Sequence, residues 1–308
     1  MTERAALTRP WAFLVLTVAM AIAAGNPVVG RAVIADIPPM ALTFWRFVAA
    51  VAVLAVFGGA PLWRQRHLFA RHWKMMLAMG APGIAVYNGF LYLGVQTTTA
   101  INASLILATA PVAVVGLTAI VHRERIGPAL VIGMAIGLVG VVVTVLRGQL
   151  SVLLELAFVP GDLLMLIAVF GFALYSLLLR SQPKGMHPIA FMLVIHAIAL
   201  LATAPFYAWE VGAGLSFTPS LGIVAAILYV GVMSTAVSFS MYNWGVAAVG
   251  VRAASQFVYL APIFASLMAV AFLGEQFHLY HLAGMVLISG GIFVATRRWR
   301  RPAEGGTA

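Results

Sequence analysis

The chain has no cysteine, which excludes a disulfide frame, a thiolate nucleophile and any cysteine-ligated metal or cluster. Charge is scarce as well: Asp, Glu, Lys and Arg make up 8% of its 308 residues. A soluble protein of this length needs far more polar surface, so water is not the solvent for most of it. Acids are the rarest charged groups, eight against eighteen Lys and Arg. None of the acids falls near the middle of an apolar run, which argues against a carboxylate proton relay inside a membrane. HExxH, P-loop and dinucleotide fingerprints are missing, and neither a Ser/His motif nor two facing aspartates marks an intramembrane protease. No cofactor and no metal are expected, and the chain is not expected to be an enzyme.

What is present is apolar, 63% of the residues, and it comes in runs. Ten of them have the roughly 20 residues that cross about 30 Å of hydrocarbon. They predict helices near Pro10 to Val33, Pro39 to Phe57, Trp73 to Val95, Thr99 to Val121, Gly127 to Leu146, Pro160 to Leu179, Pro188 to Trp209, Pro219 to Val246, Val251 to Leu273 and Phe277 to Thr296. Arg4 and Arg9 followed by an apolar stretch ending Ala21-Ile22-Ala23-Ala24 resemble a secretory signal, but the run continues past Pro27. The reading is therefore an all-α membrane protein with ten transmembrane helices.

The net charge of +10 would suggest nucleic acid in a soluble chain; here the cations sit in short connections and report topology. Fifteen of the eighteen fall on one side of the ten-helix plan, leaving Arg31 and Arg147 opposite and Arg46 inside a helix. Both termini are thus expected in the cytoplasm of a cell whose inner (plasma) membrane holds the protein.

The chain also repeats itself. At an offset of 151, Ala103-Ser104 falls on Ala254-Ser255, Ala110-Pro111 on Ala261-Pro262, Glu124 on Glu275, Gly133-Met134 on Gly284-Met285, Gly140 on Gly291 and Arg147 on Arg298. One ungapped offset across two helices and a turn indicates tandem duplication. We read a first five-helix repeat over 10–147 and a second over 160–298. Five is odd, so the copies lie inverted, the arrangement by which secondary transporters alternate access around a central site.

These residues carry a resemblance. Ala103-Ser104, Pro111, Glu124, Gly133 and Gly140, with the copy through Ala254, Pro262, Leu273-Gly274-Glu275, Gly284 and Gly291, and Arg46 within Phe44-Trp45-Arg46-Phe47, resemble the paired EamA domains of the drug/metabolite transporter superfamily. The resemblance spans about Trp11 to Thr296 and implies a ten-helix inner-membrane carrier, often an exporter of amino acids or other small metabolites. Small multidrug exporters of the superfamily carry a glutamate in the first helix; this chain offers Asn26, so their proton exchange is not carried over.

Candidate site residues follow from where polar groups meet hydrocarbon, which is costly unless they face a cavity or one another. Arg46 and His196 are the ionisable groups well inside. Arg46 suits a substrate carboxylate, with helix capping or snorkelling as its structural alternative, and His196 either titrates or donates to a backbone carbonyl. Asn26, Tyr87, Asn88, Tyr175, Ser234, Ser238 and Tyr259 lie toward the middle of helices 1, 3, 6, 8 and 9; with helix 4 these are expected to enclose a water-filled cavity. Tyr92, Trp209, Trp244 and Trp299 read as interface anchors. Pro111 and Pro262 kink equivalent helices and are expected as hinges, while Glu124 and Glu275 mark mirrored turns that are structural or gate-related. Glycines at 133, 137 and 140, and at 284 and 291, share a helix face for close packing, within a monomer or between two.

The expected function is alternating-access export of small metabolites, amino acids including aromatic or neutral ones above all, from the cytoplasm. A facilitative channel or a multidrug/cation exporter is the alternative. Expected partners are a small-molecule substrate and the lipid bilayer, not nucleic acid, with a monomer favoured.

Overall fold

The computed structural model describes residues 3–33, 35–98, 100–146, 159–182, 185–273 and 278–296, and these form helices and turns throughout. Among them nine helices are long and apolar enough to cross a membrane. A tenth segment, Val251–Gln256, Phe257–Tyr259 and Leu260–Leu273, runs without a gap but through a 3₁₀ turn. We number the spans α1 (Glu3–Val33), α2 (Pro39–Arg64), α3 (Trp73–Thr97), α4 (Ala100–Leu107 and Ala110–His122), α5 (Pro128–Val145), α6 (Pro160–Leu179), α7 (Pro188–Gly212), α8 (Leu221–Val249), α9 (the segment just given) and α10 (Leu279–Thr296). A short helix, Arg66–Arg71, links α2 to α3. The near face is the one at which α1 begins.

Helix is the form in which a chain in hydrocarbon satisfies its own backbone, and the departures from it are local. Proline opens α2, α5, α6 and α7, where its missing N–H costs nothing. Inside α3, Pro82 has no N–H to give to the preceding turn, and Met79–Ala85 widens into a π-helix. The matching stretch of α8, Tyr229–Ser238, is also π-helical. Pro111 and Pro262 act alike: α4 breaks at Ala108 and Thr109, and α9 tightens at Phe257–Tyr259, each just before its proline. Both expected hinge prolines thus sit at real discontinuities.

Packing follows a two-fold pattern. α2 lies on α7 and α5 on α10; α3 meets α6 as α8 meets α1, and α4 meets α6 as α9 meets α1. Adding five to each number returns the same set, as a pseudo-dyad relating two repeats requires. In the first two helices of each repeat the offset is 149, not 151. Gly94 packs on Met165 and Gly245 on Leu16; Gly80 packs on Ile195 and Gly231 on Arg46. Arg46 therefore corresponds to Ile195, and Asn26 to Tyr175.

The glycine face is buried within the chain. A Cβ at Gly133 would lie 2.6 Å from the Gly291 carbonyl oxygen, and one at Gly140 would lie 2.9 Å from the Ile288 nitrogen. α5 and α10 are in backbone contact along it.

The open ends of α2 and α7 are capped across the molecule. Glu210, buried at the end of α7, accepts from the backbone N–H groups of Met40 (3.0 Å) and Ala41 (2.9 Å). At the near face Gln65 accepts from His187 N–H (2.8 Å) and donates to the Gly185 carbonyl (2.9 Å). Carboxylates at a helix N-terminus satisfy orphan donors and complement its dipole. Glu210→Ala is expected to lower stability by about 1–2 kcal/mol, read by thermal unfolding in detergent, and Glu210→Gln by less because one acceptor remains.

Candidate functional site

A cavity of about 130 Å³ lies among α1, α3, α4, α6, α8 and α9, the six helices singled out from the sequence. It has room for on the order of ten water-sized groups. Its lining comes in pairs related by the pseudo-dyad. Tyr87 and Ser238, Leu91 and Tyr242, Leu107 and Val258, and Ala110 and Ala261 correspond at 151; Met20 and Val169, and Ala23 and Phe172, correspond at 149. The cavity therefore straddles the axis between the repeats.

Most of the paired residues are unlike, which makes the two halves of the lining different. Rings gather: Tyr87 and Phe172 have centroids 5.4 Å apart, and Phe172 and Tyr242 5.7 Å. Phe239 joins them. Met20, Ala23, Ala24, Ala261 and Ala265 also line the cavity. Among the described residues, polar lining is limited to the hydroxyls of Tyr87, Ser238 and Tyr242, and Ser238 already donates to the Ala19 carbonyl (2.9 Å). Among the described residues no charged side chain belongs to the lining.

The expected site residues divide. Tyr87, Ser238 and Pro262 line the cavity. Pro111 is buried, directly after the liner Ala110. Tyr259 instead packs on Gly137 and donates to the Met134 carbonyl (3.3 Å), joining α9 to α5. Asn88 donates to Ile84 O (2.9 Å), and Ser234 is buried in α8; neither is among the lining residues. His196 is fully buried, its Nδ1 against the Met192 carbonyl (2.8 Å) and its ring against Phe47 and Phe239. That is the backbone contact named as one of its two readings. Glu275 lies outside the described residues.

Arg46 stands behind the wall. It is fully buried, and its nitrogens donate to Thr235 Oγ1 (2.6 and 3.1 Å), Asn26 Oδ1 (3.1 Å), Tyr92 OH (2.7 Å) and the Val230 carbonyl (3.2 Å). Val230 O is a carbonyl of the π-helical turn in α8, and Thr235 Oγ1 donates to it as well (2.6 Å). Tyr92 is not an interface anchor: its side chain is fully buried and its hydroxyl donates to Asn26 Oδ1 (2.6 Å). A tyrosine near a helix end looks the same in sequence in either role. Trp209 and Trp244 are exposed, as anchors would be.

The second repeat repeats that bond. Tyr175, equivalent to Asn26, donates its hydroxyl to Asn243 Oδ1, and Asn243 is equivalent to Tyr92. One Tyr–Asn pair ties α1 to α3 toward the far face, and the other ties α6 to α8 toward the near face.

A family model described as the EamA-like transporter family matches residues 10–146 and again 159–297. The chain belongs to that family. The uncharacterized transporter YetK of Bacillus subtilis (strain 168) is 25% identical over 296 residues, covering 94% of this chain and 88% of its own. A probable terminal-alkyne amino-acid exporter of Streptantibioticus cattleyicolor is 29% identical over 257 residues, covering 83% and 84%. A crystal structure at 21% identity superposes with a TM-score of 0.73 over 93% of this chain and 96% of the other, which shows a shared fold. The protein is thus a multi-pass membrane protein of a transporter family, with a small molecule as substrate and the bilayer as solvent.

In this EamA-like chain the near-face turn between α4 and α5 is charged. Glu124 pairs with Arg180 after α6 (2.7 Å) and with Arg252 at the start of α9 (3.0 Å), so one residue of the first repeat holds two helices of the second. The Arg180 hydrogen bond, helped by the Arg252 charge, keeps the Glu124 carboxyl below its ordinary value of 4.5. A depressed carboxyl stabilises fully above that value and loses its contribution as pH falls through the lowered one. Glu124→Gln should therefore loosen the near face at neutral pH. In this cysteine-free background, a cysteine at Ser176, fully buried three residues before the end of α6, should react faster with a water-soluble maleimide in the Glu124→Gln variant. High salt should act in the same direction.

Proposed function

We propose that the protein is a secondary carrier that exports small metabolites, amino acids with apolar or aromatic side chains above all, by alternating access. The observation that carries this is the cavity on the pseudo-dyad, lined by a cluster of rings and by aliphatic groups. Carriers of duplicated architecture place their substrate between inverted repeats. Rings at such spacing suit a planar or apolar side chain. The relative named as an amino-acid exporter points to the same substrate class. In this reading the repeats 10–147 and 160–298 move against each other, Pro111 and Pro262 serve as hinges, and the near face with both termini is cytoplasmic in the plasma membrane.

The test is counterflow of labelled amino acids by purified protein in proteoliposomes. Saturable exchange of apolar or aromatic amino acids is expected, and a flux linear in concentration would identify a channel instead. Orientation is read separately, from single cysteines at Arg125 and Asp36: an impermeant maleimide added to whole cells should label only the second.

A further inference from the structure

Arg46 carries a charge that no described acid answers. Both ion pairs among the described residues belong to Glu124 at the near face, and the groups around Arg46 are two hydroxyls, an amide oxygen and a backbone carbonyl. Neutral acceptors satisfy the guanidinium's donors but leave its net charge in place. In a low-dielectric interior such a charge acts over a longer distance than it would in water.

The cavity is within that reach. Asn26 follows the liners Ala23 and Ala24 on α1 by three and two residues, or about 3–4.5 Å of helix rise. Tyr92 is adjacent to the liner Leu91. Among the described residues no acid lines the cavity to offset the charge, and the pseudo-dyad supplies no second arginine, because the equivalent position is Ile195.

We infer that Arg46 sets the charge selectivity of the cavity from behind its wall: it favours molecules bearing a carboxylate and bars organic cations without touching either. This rests on the carrier reading above. It also separates this chain from a cation exporter. A unit charge about 10 Å away at an effective dielectric of about 20 changes the affinity for an ion by about tenfold.

The test compares three compounds of one skeleton as inhibitors of labelled phenylalanine counterflow in proteoliposomes: phenylalanine, 2-phenylethylamine and 3-phenylpropionate. For the unaltered protein the amine should inhibit about tenfold more weakly than phenylalanine, and the acid at least as well as phenylalanine. Arg46→Lys should keep the difference, because charge and not bidentate contact carries it; Arg46→Gln should erase it. Thr235→Asp, which sets an acid against the retained arginine, should also erase it, and answers the question if Arg46→Gln fails to fold. Equal inhibition by amine and phenylalanine in the unaltered protein, or a folded Arg46→Gln that still discriminates, overturns the inference and leaves the carrier reading standing. Loss of discrimination in Arg46→Lys points to direct contact and overturns it too. Absence of any phenylalanine counterflow removes the carrier reading, and the inference with it.

Discussion

Ala261→Phe is expected to lose transport by at least about tenfold while its thermal stability holds or rises. Ala261 lines the cavity one residue before Pro262. A phenyl group projecting from it would enter the cavity and obstruct it. Filling an existing void adds apolar contact without displacing a neighbour, and such changes commonly stabilise by about 0.5–2 kcal/mol. A merely damaging substitution would lower both quantities together, so their divergence is what assigns the cavity to the substrate. The measurement pairs initial rates of counterflow with unfolding midpoints in the same detergent preparation. Unchanged transport by a folded Ala261→Phe protein would mean that substrate passes elsewhere.

Gly291→Ala is expected to lower stability by about 3 kcal/mol, and Gly291→Leu by more. The added Cβ would meet Gly137 N at 2.6 Å, Gly133 O at 2.7 Å and Gly137 Cα at 2.9 Å. All three are backbone atoms of α5 and cannot swing aside, so two whole helices must separate. Overpacking costs typically about 1–3 kcal/mol, and a rigid obstacle puts this case at the upper end. At about 2–4 °C per kcal/mol for a chain of this size, the midpoint should fall by roughly 10 °C. Its neighbour is the control: a Cβ at Gly290 meets nothing within 4 Å, and Gly290→Ala should be neutral or slightly stabilising through helix propensity. Equal effects at 290 and 291 would refute direct backbone contact between α5 and α10.

The glycine and proline pattern at 151 made the repeat legible because each mark is costly to misplace in a helix: a glycine where backbones touch, a proline where a turn must break. Ten spans could be read from composition for a similar reason, since hydrocarbon leaves a chain few alternatives. What the pattern concealed is where the offset changes. α1, α2, α6 and α7 follow 149, so Asn26 and Tyr175 did not register as equivalents, and Arg46 was read without Ile195 beside it. Arg46 was recognised as special but not as enclosed, because Thr235 and Val230 reach it from α8, 189 and 184 residues away. The partners of Glu124 were hidden likewise: Arg180 and Arg252 counted only as topological charges. Phe172 and Phe239 gave no signal at all, since an aromatic ring in an apolar run looks the same facing lipid, core or cavity. The π-helical turn of α8 contains no proline and had no local mark.

The two Tyr–Asn bonds bear on how such a protein can change. Each keeps the same donor and acceptor, but the residues have traded helices: asparagine on α1 with tyrosine on α3, then tyrosine on α6 with asparagine on α8. Aligned copy against copy, these positions count as two mismatches, although the interaction is intact. The same bond is thus kept by either order of the couple, but only in the first repeat do both partners also accept from an arginine, so there the order carries a second task.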